Sequence, residues 1–238
     1  ELDFVATVDM DGDHFAHELH NLVRAALHVR QVDAQPEVLI IGSRGSKHRA
    51  MGLLRGELEE LADRVLLDAL QYHAARVGQP LRLEWATAIE EYPDFHSGYK
   101  LLSRATAAAV FLSEPDLAGG TAAAYYRHGV EAVITAEALL AGARLVLVRR
   151  SAANAPPLSA FGLLDRPRLV ADKIVWPCRR LGVPPPFVDQ WLRNHIPRLL
   201  LGTFAPQGQD ELAAVRRLVL EEFALTATDA IAWGPLFV

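Results

Sequence analysis

The fold of this 238-residue chain is indicated most clearly by the segment Phe4–His14, which reads FVATVDMDGDH. Its first part, Phe4–Val8, is a short apolar run that ends abruptly in an acidic stretch containing glycine. Such a run is typical of a buried strand, and the residues after it are typical of a loop. The segment therefore predicts a core strand followed by a loop that carries the carboxylates of Asp9, Asp11 and Asp13.

Strands and helices continue to alternate from this segment to about residue 150. Apolar spacing predicts helices at His14–Val29, Met51–Ala75, Tyr99–Ala108 and Ala122–Leu140. Apolar runs predict strands at Val38–Ile41 and Arg144–Val148, an edge strand at Leu81–Trp85 and a brief run at Val110–Leu112. We therefore expect an α/β domain with a mostly parallel, Rossmann-like sheet flanked by helices.

The pattern changes after Arg150, where a connector rich in Ser, Ala, Asn and Pro precedes three predicted helices. These are Arg166–Leu181, Pro186–Leu201 and Gln209–Phe223. We predict two parts, residues 1–150 and a C-terminal helical appendage at 151–238. Aromatic and basic residues recur together in the first two helices, namely Trp176, Arg179, Arg180, Phe187, Trp191, Arg193 and Arg198. They predict either a peripheral contact with a membrane surface or partner, or packing on the sheet domain with solvated arginines.

Composition excludes several classes of protein. The chain is 51% hydrophobic and 22% charged with a net charge of −5, which is typical of a globular protein and gives no general attraction to nucleic acid. No apolar run approaches the roughly 20 residues of a membrane-spanning helix, so we expect a cytoplasmic protein. The single cysteine, Cys178, is predicted to be a buried small hydrophobe. The sequence leaves open whether the chain forms a homo-oligomer.

The acidic loop suits a hard divalent cation. Asp9, Asp11 and Asp13 alternate along the chain, and their mutual repulsion is relieved by a bound cation. Carboxylate oxygens are ligands for Mg²⁺ and Mn²⁺, which take further ligands from phosphates. The alternative is a solvated loop whose carboxylates cap the following helix.

A second motif, Ile41–Arg49, follows the next predicted strand and reads IGSRGSKHR. Glycines allow an anion to approach the backbone, and Arg44 and Arg49 can bind phosphate oxygens. The alternative is an ordinary turn after a strand.

Two further features are weaker when taken alone. Asp94–Lys100 reads DFHSGYK, in which Ser97 could cap the predicted helix. Glu131 follows a tyrosine- and glycine-containing turn, and its alternative is a surface residue of a helix.

The order of these features resembles that of family 2 glycosyltransferases of the GT-A fold. The similarity is greatest to the branch of polyprenyl-phosphate mannosyl- and glucosyltransferases, whose corresponding motifs read approximately D-A-D-x-Q-H, I-G-S-R, D-x-x-S-G-F and Y-G-x-E. It covers about residues 1–150 and depends on order and spacing.

The resemblance implies a role for each motif. Asp9 and Asp11, with Asp13 at a position where the family often has Gln or Ser, would hold Mg²⁺ or Mn²⁺ and the donor diphosphate. Arg44 and Arg49 would bind the diphosphate or an acceptor phosphate. Asp94 and Glu131, which match positions near the acceptor, would be the catalytic carboxylates. The implied reaction moves a hexosyl unit from a nucleotide-diphosphate sugar to a small-molecule, glycan or lipid-phosphate acceptor.

The sequence departs from the family in two ways. It lacks the N-terminal nucleotide-binding half with its P-x-x-N-E and D-D-x-S motifs, so we expect the chain to be part of a longer polypeptide. It also lacks C-terminal membrane helices, which makes a soluble acceptor as plausible as a lipid. Two other readings stay open: a Rossmann-like nucleotide-binding or sensing module, with Gly119–Thr121 as a second phosphate cradle, and a degenerate subunit whose partner is the active chain.

Overall fold

The computed structural model describes residues 3–9, 14–34, 37–45, 47–86, 91–150 and 165–226, with the backbone alone for residues 47–51. The chain divides into two compact units. The sheet unit comprises Glu1–Ser46, Pro80–Asp116 and Glu131–Ser159. The helical unit comprises Lys47–Gln79, Leu117–Val130 and Ala160–Val238. The predicted limits, 1–150 and 151–238, stay a prediction.

The sheet unit contains a four-stranded sheet. Its strands are β1 (Phe4–Thr7), β2 (Val38–Ser43), β3 (Lys100–Ser103) and β4 (Arg144–Arg149), in the spatial order β1-β3-β2-β4. Strand β3 is antiparallel to both of its neighbours, whereas β2 and β4 are parallel. The predicted α/β class is confirmed, but the sheet is mixed, so the expectation of a mostly parallel sheet is wrong.

The expectation of a mostly parallel sheet is wrong because one short segment was assigned to a helix. Tyr99–Ala108 was predicted to be a helix, but β3 occupies Lys100–Ser103 and helix α3 occupies Arg104–Phe111. The apolar run at Val110–Leu112 is therefore the end of this helix and the residue after it. Leu81–Trp85 is not a strand, and it contributes only a single bridge between Trp85 and Val146.

Two other helices belong to the sheet unit, and the apolar face of the first packs on the sheet to form a core. Helix α1 (Leu19–Asp33) follows a 3-10 turn, and α4 (Val130–Leu140) follows a π-helical turn at Ala124–His128. Helix α1 contributes residues at the spacing expected for one helical face, and the sheet and the residue before β3 contribute the rest. The buried members of this core are Leu22, Ala26, Val29, Val38, Ile40, Tyr99, Leu101 and Val146. The predicted helices His14–Val29 and Ala122–Leu140 are confirmed in part, with later starts.

The described part of the helical unit contains five α-helices. They are α2 (Lys47–Val77), α5 (Arg166–Arg180), α6 (Pro185–His195), α7 (Leu201–Phe204) and α8 (Gly208–Glu222). Gly52 interrupts α2 with φ of 77° and ψ of 167°, a conformation that favours glycine. The Asp165 side chain caps α5 by accepting the N–H of Arg168 at 3.2 Å. The predicted helices of residues 166–223 are confirmed, except that the second ends at His195.

The aromatic and basic residues of this unit are largely engaged within it. Trp176 is 1% exposed, and Cys178 is fully buried, as predicted. Arg179 pairs with Glu222 at 3.1 Å, and Arg193 pairs with Asp189 at 3.0 Å. A membrane-surface contact stays a prediction, with Phe187 and Arg198 as the exposed members of the set. None of the helices among the described residues is long and apolar enough to cross a membrane.

A buried carboxylate on α2 holds the start of α7. Glu57 is 2% exposed, and its Oε2 atom accepts the N–H of Leu200 at 2.6 Å and that of Leu201 at 3.4 Å. We expect Glu57→Ala to lower the free energy of unfolding by about 1–3 kcal/mol, because two backbone donors lose a buried acceptor. Urea denaturation followed by tryptophan fluorescence measures this change.

The matched control is Glu60→Ala on the same helix, which removes only an i,i+4 pair with Arg64. Its expected cost is about 0.3–0.5 kcal/mol. Equal costs for the two variants would show that Glu57 does not hold α7.

Candidate functional site at one edge of the sheet

The direction of β3 brings the candidate residues of the sheet unit to one edge. Strands β1, β2 and β4 run in one direction and end at this edge, while β3 begins there. Lys100, the first residue of β3, is in register with Thr7 on β1 and with Ile41 on β2. The segments that follow β1 and β2 and the segment that precedes β3 therefore converge.

Asp9 lies at this edge and packs against the backbone before β3. A Cβ atom built on Gly98 would lie 2.6 Å from Cγ of Asp9, so a side chain at this position would displace the Asp9 carboxylate. The Thr7 hydroxyl donates to the Gly98 carbonyl at 2.9 Å, which joins the same two segments. The side chain of Asp9 is 46% exposed and is therefore accessible to a ligand.

His14 fixes the far end of the acidic loop. Its Nδ1 atom accepts the backbone N–H of Asp9 at 2.9 Å, so the imidazole carries its proton on Nε2. The ring is stacked on Tyr99, with centroids 4.9 Å apart and an 18° interplanar angle. Its side chain is 2% exposed. The two ends of the segment that contains Asp11 and Asp13 are thus held together, although these two predicted metal ligands lie outside the described residues.

Asp94 forms a buried ion pair with Arg44. The Asp94 carboxylate is fully buried and accepts three hydrogen bonds from Arg44, from its backbone N–H and Nε at 2.9 Å each and from Nη2. Arg44 itself is 7% exposed. This bidentate ion pair links the end of β2 to the segment before β3.

The segment 94–98, which we call the 94–98 loop, has its carbonyl groups bound by side chains. Lys100 Nζ donates to the carbonyl of Phe95 at 2.9 Å and to that of Ser97. The Ser97 hydroxyl donates to the Gly42 carbonyl at 2.7 Å, so Ser97 is not the helix cap considered from the sequence. Residues 94–97 are buried, and such a loop requires partners for its backbone polar groups.

Glu131 lies in the first turn of α4, and its Oε2 atom is buried with no hydrogen-bond partner among the described residues. Thr135, one turn further on, is fully buried. Its hydroxyl lies 2.8 Å from the Glu131 carbonyl and 3.4 Å from that of Phe95. The start of α4 is therefore linked to the 94–98 loop.

The charged residues at this edge of the sheet act on the buried ammonium group of Lys100. Its side chain is fully buried, and burial lowers the pKa of Lys100 to about 8. The charges that act on it come from four residues: Glu131, Asp94 and Asp9 raise the pKa, and Arg44 lowers it further. The same four residues were selected from the sequence.

The sequence-predicted residues are thus placed as follows. The segments that carry Asp9, Arg44, Asp94 and Glu131 all reach the 94–98 loop, and their charges act on Lys100. Asp11, Asp13 and the Arg49 side chain lie outside the described residues. Sequence reasoning missed Lys100, His14 and Thr135 as site residues. A lysine in the apolar run that follows Ser97-Gly98 was the available signal, but the run was read as a helix.

The residues present fit a hard divalent cation in their chemistry. The exposed carboxylate of Asp9 supplies oxygen ligands, and the sequence places two more carboxylates between the fixed ends of its loop. Within the part of the chain that the structure describes, no group of three His, Cys, Asp or Glu residues is arranged so that it could hold a metal ion. The metal site at Asp9, Asp11 and Asp13 stays a prediction.

Comparisons with protein-family models, with curated proteins and with solved structures find no match to this chain.

The burial of Lys100 predicts a specific pH dependence of stability. The pKa of Lys100 is about 8 in the folded chain and its ordinary value is 10.5, so between these values the unfolded state binds the additional proton. The free energy of unfolding should therefore rise with pH in this window, by about 1–2 kcal/mol from pH 8 to 9.5. Below pH 8 both states are protonated, and the contribution is constant.

Denaturation of the wild type and of Lys100→Met at pH 7, 8 and 9.5 measures this effect as the difference between the two proteins. Lys173→Met is the matched control and should retain the rise, because it leaves Lys100 in place. Parallel pH curves for wild type and Lys100→Met would contradict the prediction.

Proposed function

We propose that the protein is a metal-dependent glycosyltransferase, which moves a hexosyl unit from a nucleotide-diphosphate sugar to an acceptor hydroxyl or polyprenyl phosphate. The proposal is supported by contacts at one edge of the sheet, where Asp9 contacts Gly98, Arg44 pairs with Asp94, and the first turn of α4, which carries Glu131, is linked to the same loop. These residues are widely separated in sequence, and the resemblance to family 2 glycosyltransferases implies one site for them.

Asp9, together with Asp11 and Asp13, would hold Mg²⁺ or Mn²⁺. Such an ion, when bound, offsets the negative charge of the donor diphosphate and of the leaving group. Asp9 suits this role because its carboxylate is partly exposed, its backbone N–H is bound by His14, and its side chain packs against Gly98.

The two arginines take different roles in this proposal. Arg44 is buried and bound to Asp94, which suits a residue that positions the 94–98 loop. Arg49 is the candidate for direct contact with a diphosphate or acceptor phosphate.

Of the two candidate catalytic carboxylates, Glu131 is the better proton acceptor. Asp94 accepts three hydrogen bonds from Arg44 and has no exposed surface, so it cannot reach a substrate without breaking the pair. Glu131 retains an oxygen without a hydrogen-bond partner among the described residues. Asp94 is accordingly a positioning residue, and Glu131 is the proposed base.

The proposed reaction balances for both classes of acceptor. An acceptor hydroxyl oxygen forms a bond to the anomeric carbon, its proton passes to the Glu131 carboxylate, and the sugar–phosphate C–O bond breaks with its electron pair leaving on the diphosphate. A phosphate acceptor has no proton to lose at neutral pH, so Glu131 then only positions it.

The direct test supplies the full-length protein with radiolabelled UDP- or GDP-hexoses and with polyprenyl phosphate or a soluble sugar acceptor. We expect transfer that requires Mg²⁺ or Mn²⁺ and stops with EDTA. Nucleotide binding without transfer, unaffected by EDTA, would instead favour the binding-module reading.

The metal role of Asp9 is tested separately from turnover. We expect Asp9→Asn to weaken Mn²⁺-dependent binding of GDP or UDP at least tenfold in isothermal titration, because the loop loses a charged ligand. Asp3→Asn, an exposed carboxylate before β1, is the matched control and should leave the affinity unchanged. An Asp9→Asn protein with wild-type affinity would remove Asp9 from the metal site.

Substitutions of Glu131 and of Asp94 should differ in their effects on activity and on stability. Glu131→Gln should lower kcat at least 100-fold with a hydroxyl acceptor and lower the free energy of unfolding by less than Asp94→Asn does, because its Oε2 atom has no hydrogen-bond partner among the described residues to lose. Asp94→Asn should instead lower the free energy of unfolding by about 3–5 kcal/mol, because it breaks a buried ion pair.

Steady-state kinetics and urea denaturation measure both variants, with Glu137→Gln on the same helix as control. Loss of activity in Asp94→Asn at full stability would reverse the two assignments.

A further inference from the structure

Lys100 is difficult to explain as a stabilising residue. Its side chain has no exposed surface, and burial of an ammonium group opposes folding. Replacing a buried charge by an apolar side chain of similar volume is often neutral or stabilising. The neighbouring strand residues Leu101 and Leu102 are apolar, so a methionine would suit the local pattern. The charge at this position therefore requires another reason.

The hydrogen bonds of Lys100 supply one. Its ammonium group donates to the carbonyls of Phe95 and Ser97, which lie in a buried loop with no strand partner. A methionine would leave both carbonyls without this donor. Lys100 thus binds two carbonyls in the middle of the loop between Asp94 and Gly98, in addition to the contacts that Arg44 and Thr7 make at its two ends.

Its charge supplies a second reason. The segments that carry Asp9 and Glu131 both reach the loop that Lys100 holds, since Asp9 contacts Gly98 and Thr135 lies 2.8 Å from the Glu131 carbonyl and 3.4 Å from that of Phe95. Both carboxylates raise the pKa of Lys100, and an ammonium group that attracts two carboxylates reduces their mutual repulsion. Arg44 cannot serve the same purpose, because its guanidinium group is bound to Asp94.

We infer that Lys100 is the positioning residue of the candidate site: its buried ammonium group holds the 94–98 loop and draws Asp9 and Glu131 to the same edge of the sheet. Lys100 does not contact the substrate and acts through Glu131 and the loop. The kinetic part of this inference rests on the proposed function, and the structural part does not.

The structural part is tested by hydrogen exchange in Lys100→Met and Lys100→Gln. The glutamine amide keeps a donor for the loop carbonyls, whereas methionine has none. We expect amides of residues 94–98 to exchange at least tenfold faster in Lys100→Met and less so in Lys100→Gln, with those of β4 unchanged. Unchanged exchange of the loop in both variants overturns the inference, whether or not the protein transfers sugars.

The kinetic part is tested by a double-mutant cycle with Glu131→Gln and a hydroxyl acceptor. If Lys100 acts through Glu131, Lys100→Gln lowers kcat at least tenfold with the donor KM nearly unchanged, and the double variant is no slower than Glu131→Gln alone. A merely structural residue would lower stability without this split between kcat and KM. The inference is overturned if the reductions in kcat of the two single variants multiply in the double variant, or if Lys100→Gln leaves kcat unchanged.

The two readouts separate the possible failures. Absence of sugar transfer by the wild type contradicts the proposed function, and the exchange measurement then decides on Lys100 alone. If Lys100→Met does not fold, Lys100→Gln provides both measurements. If neither folds, Lys100 is a residue required for folding and the positioning role is overturned.

Discussion

A fully buried ammonium group must be compensated by its surroundings, and the candidate site depends on how the sheet unit does this for Lys100. Hydrogen bonds from Nζ to two loop carbonyls satisfy its donors, and three carboxylates offset part of its desolvation. These partners come from three separate stretches of chain, namely the segment after β1, the 94–98 loop and α4, and the first two meet at the edge where β3 begins. The strand order, the loop conformation and the charge distribution are thus interdependent, and a change in any one alters the environment of Lys100.

The carboxylates of this cluster differ in what they can still bind. Asp94 accepts three hydrogen bonds from Arg44, and this ion pair holds the loop in place. Asp9 is partly exposed, and Glu131 has a buried oxygen without a hydrogen-bond partner among the described residues. Burial and hydrogen bonding separate residues that look equivalent in the sequence. A single rigid pair next to two less constrained carboxylates suits a site that must hold its shape while binding ligands.

Local patterns in the sequence predicted most elements of the fold, and the exceptions have physical causes. Strands β1, β2 and β4 are apolar runs bounded by loop residues, and α1 and α5 have clear helical periodicity, so each was recognised. Strand β3 has four residues, and Lys-Leu-Leu-Ser is too short to show a period. Its identity depends on pairing with β1 and β2, which are far away in the sequence. The four described site residues could be selected from motif order, but their common partner, Lys100, required the register of β3.

The charge balance at this edge bears on which ligand the site would take. Arg44 and Lys100 are both buried and donate to protein acceptors, so neither presents a free cationic face to an anion. Arg149, the last residue of β4, is exposed at the same edge, where its Nη2 atom donates to the Gly45 carbonyl at 3.4 Å. A phosphate cradle needs donors directed outward, and of these three cations Arg149 is the one whose side chain faces solvent. An anion at this edge would therefore meet Arg149 before Arg44 or Lys100, whose charges are engaged inside the sheet unit.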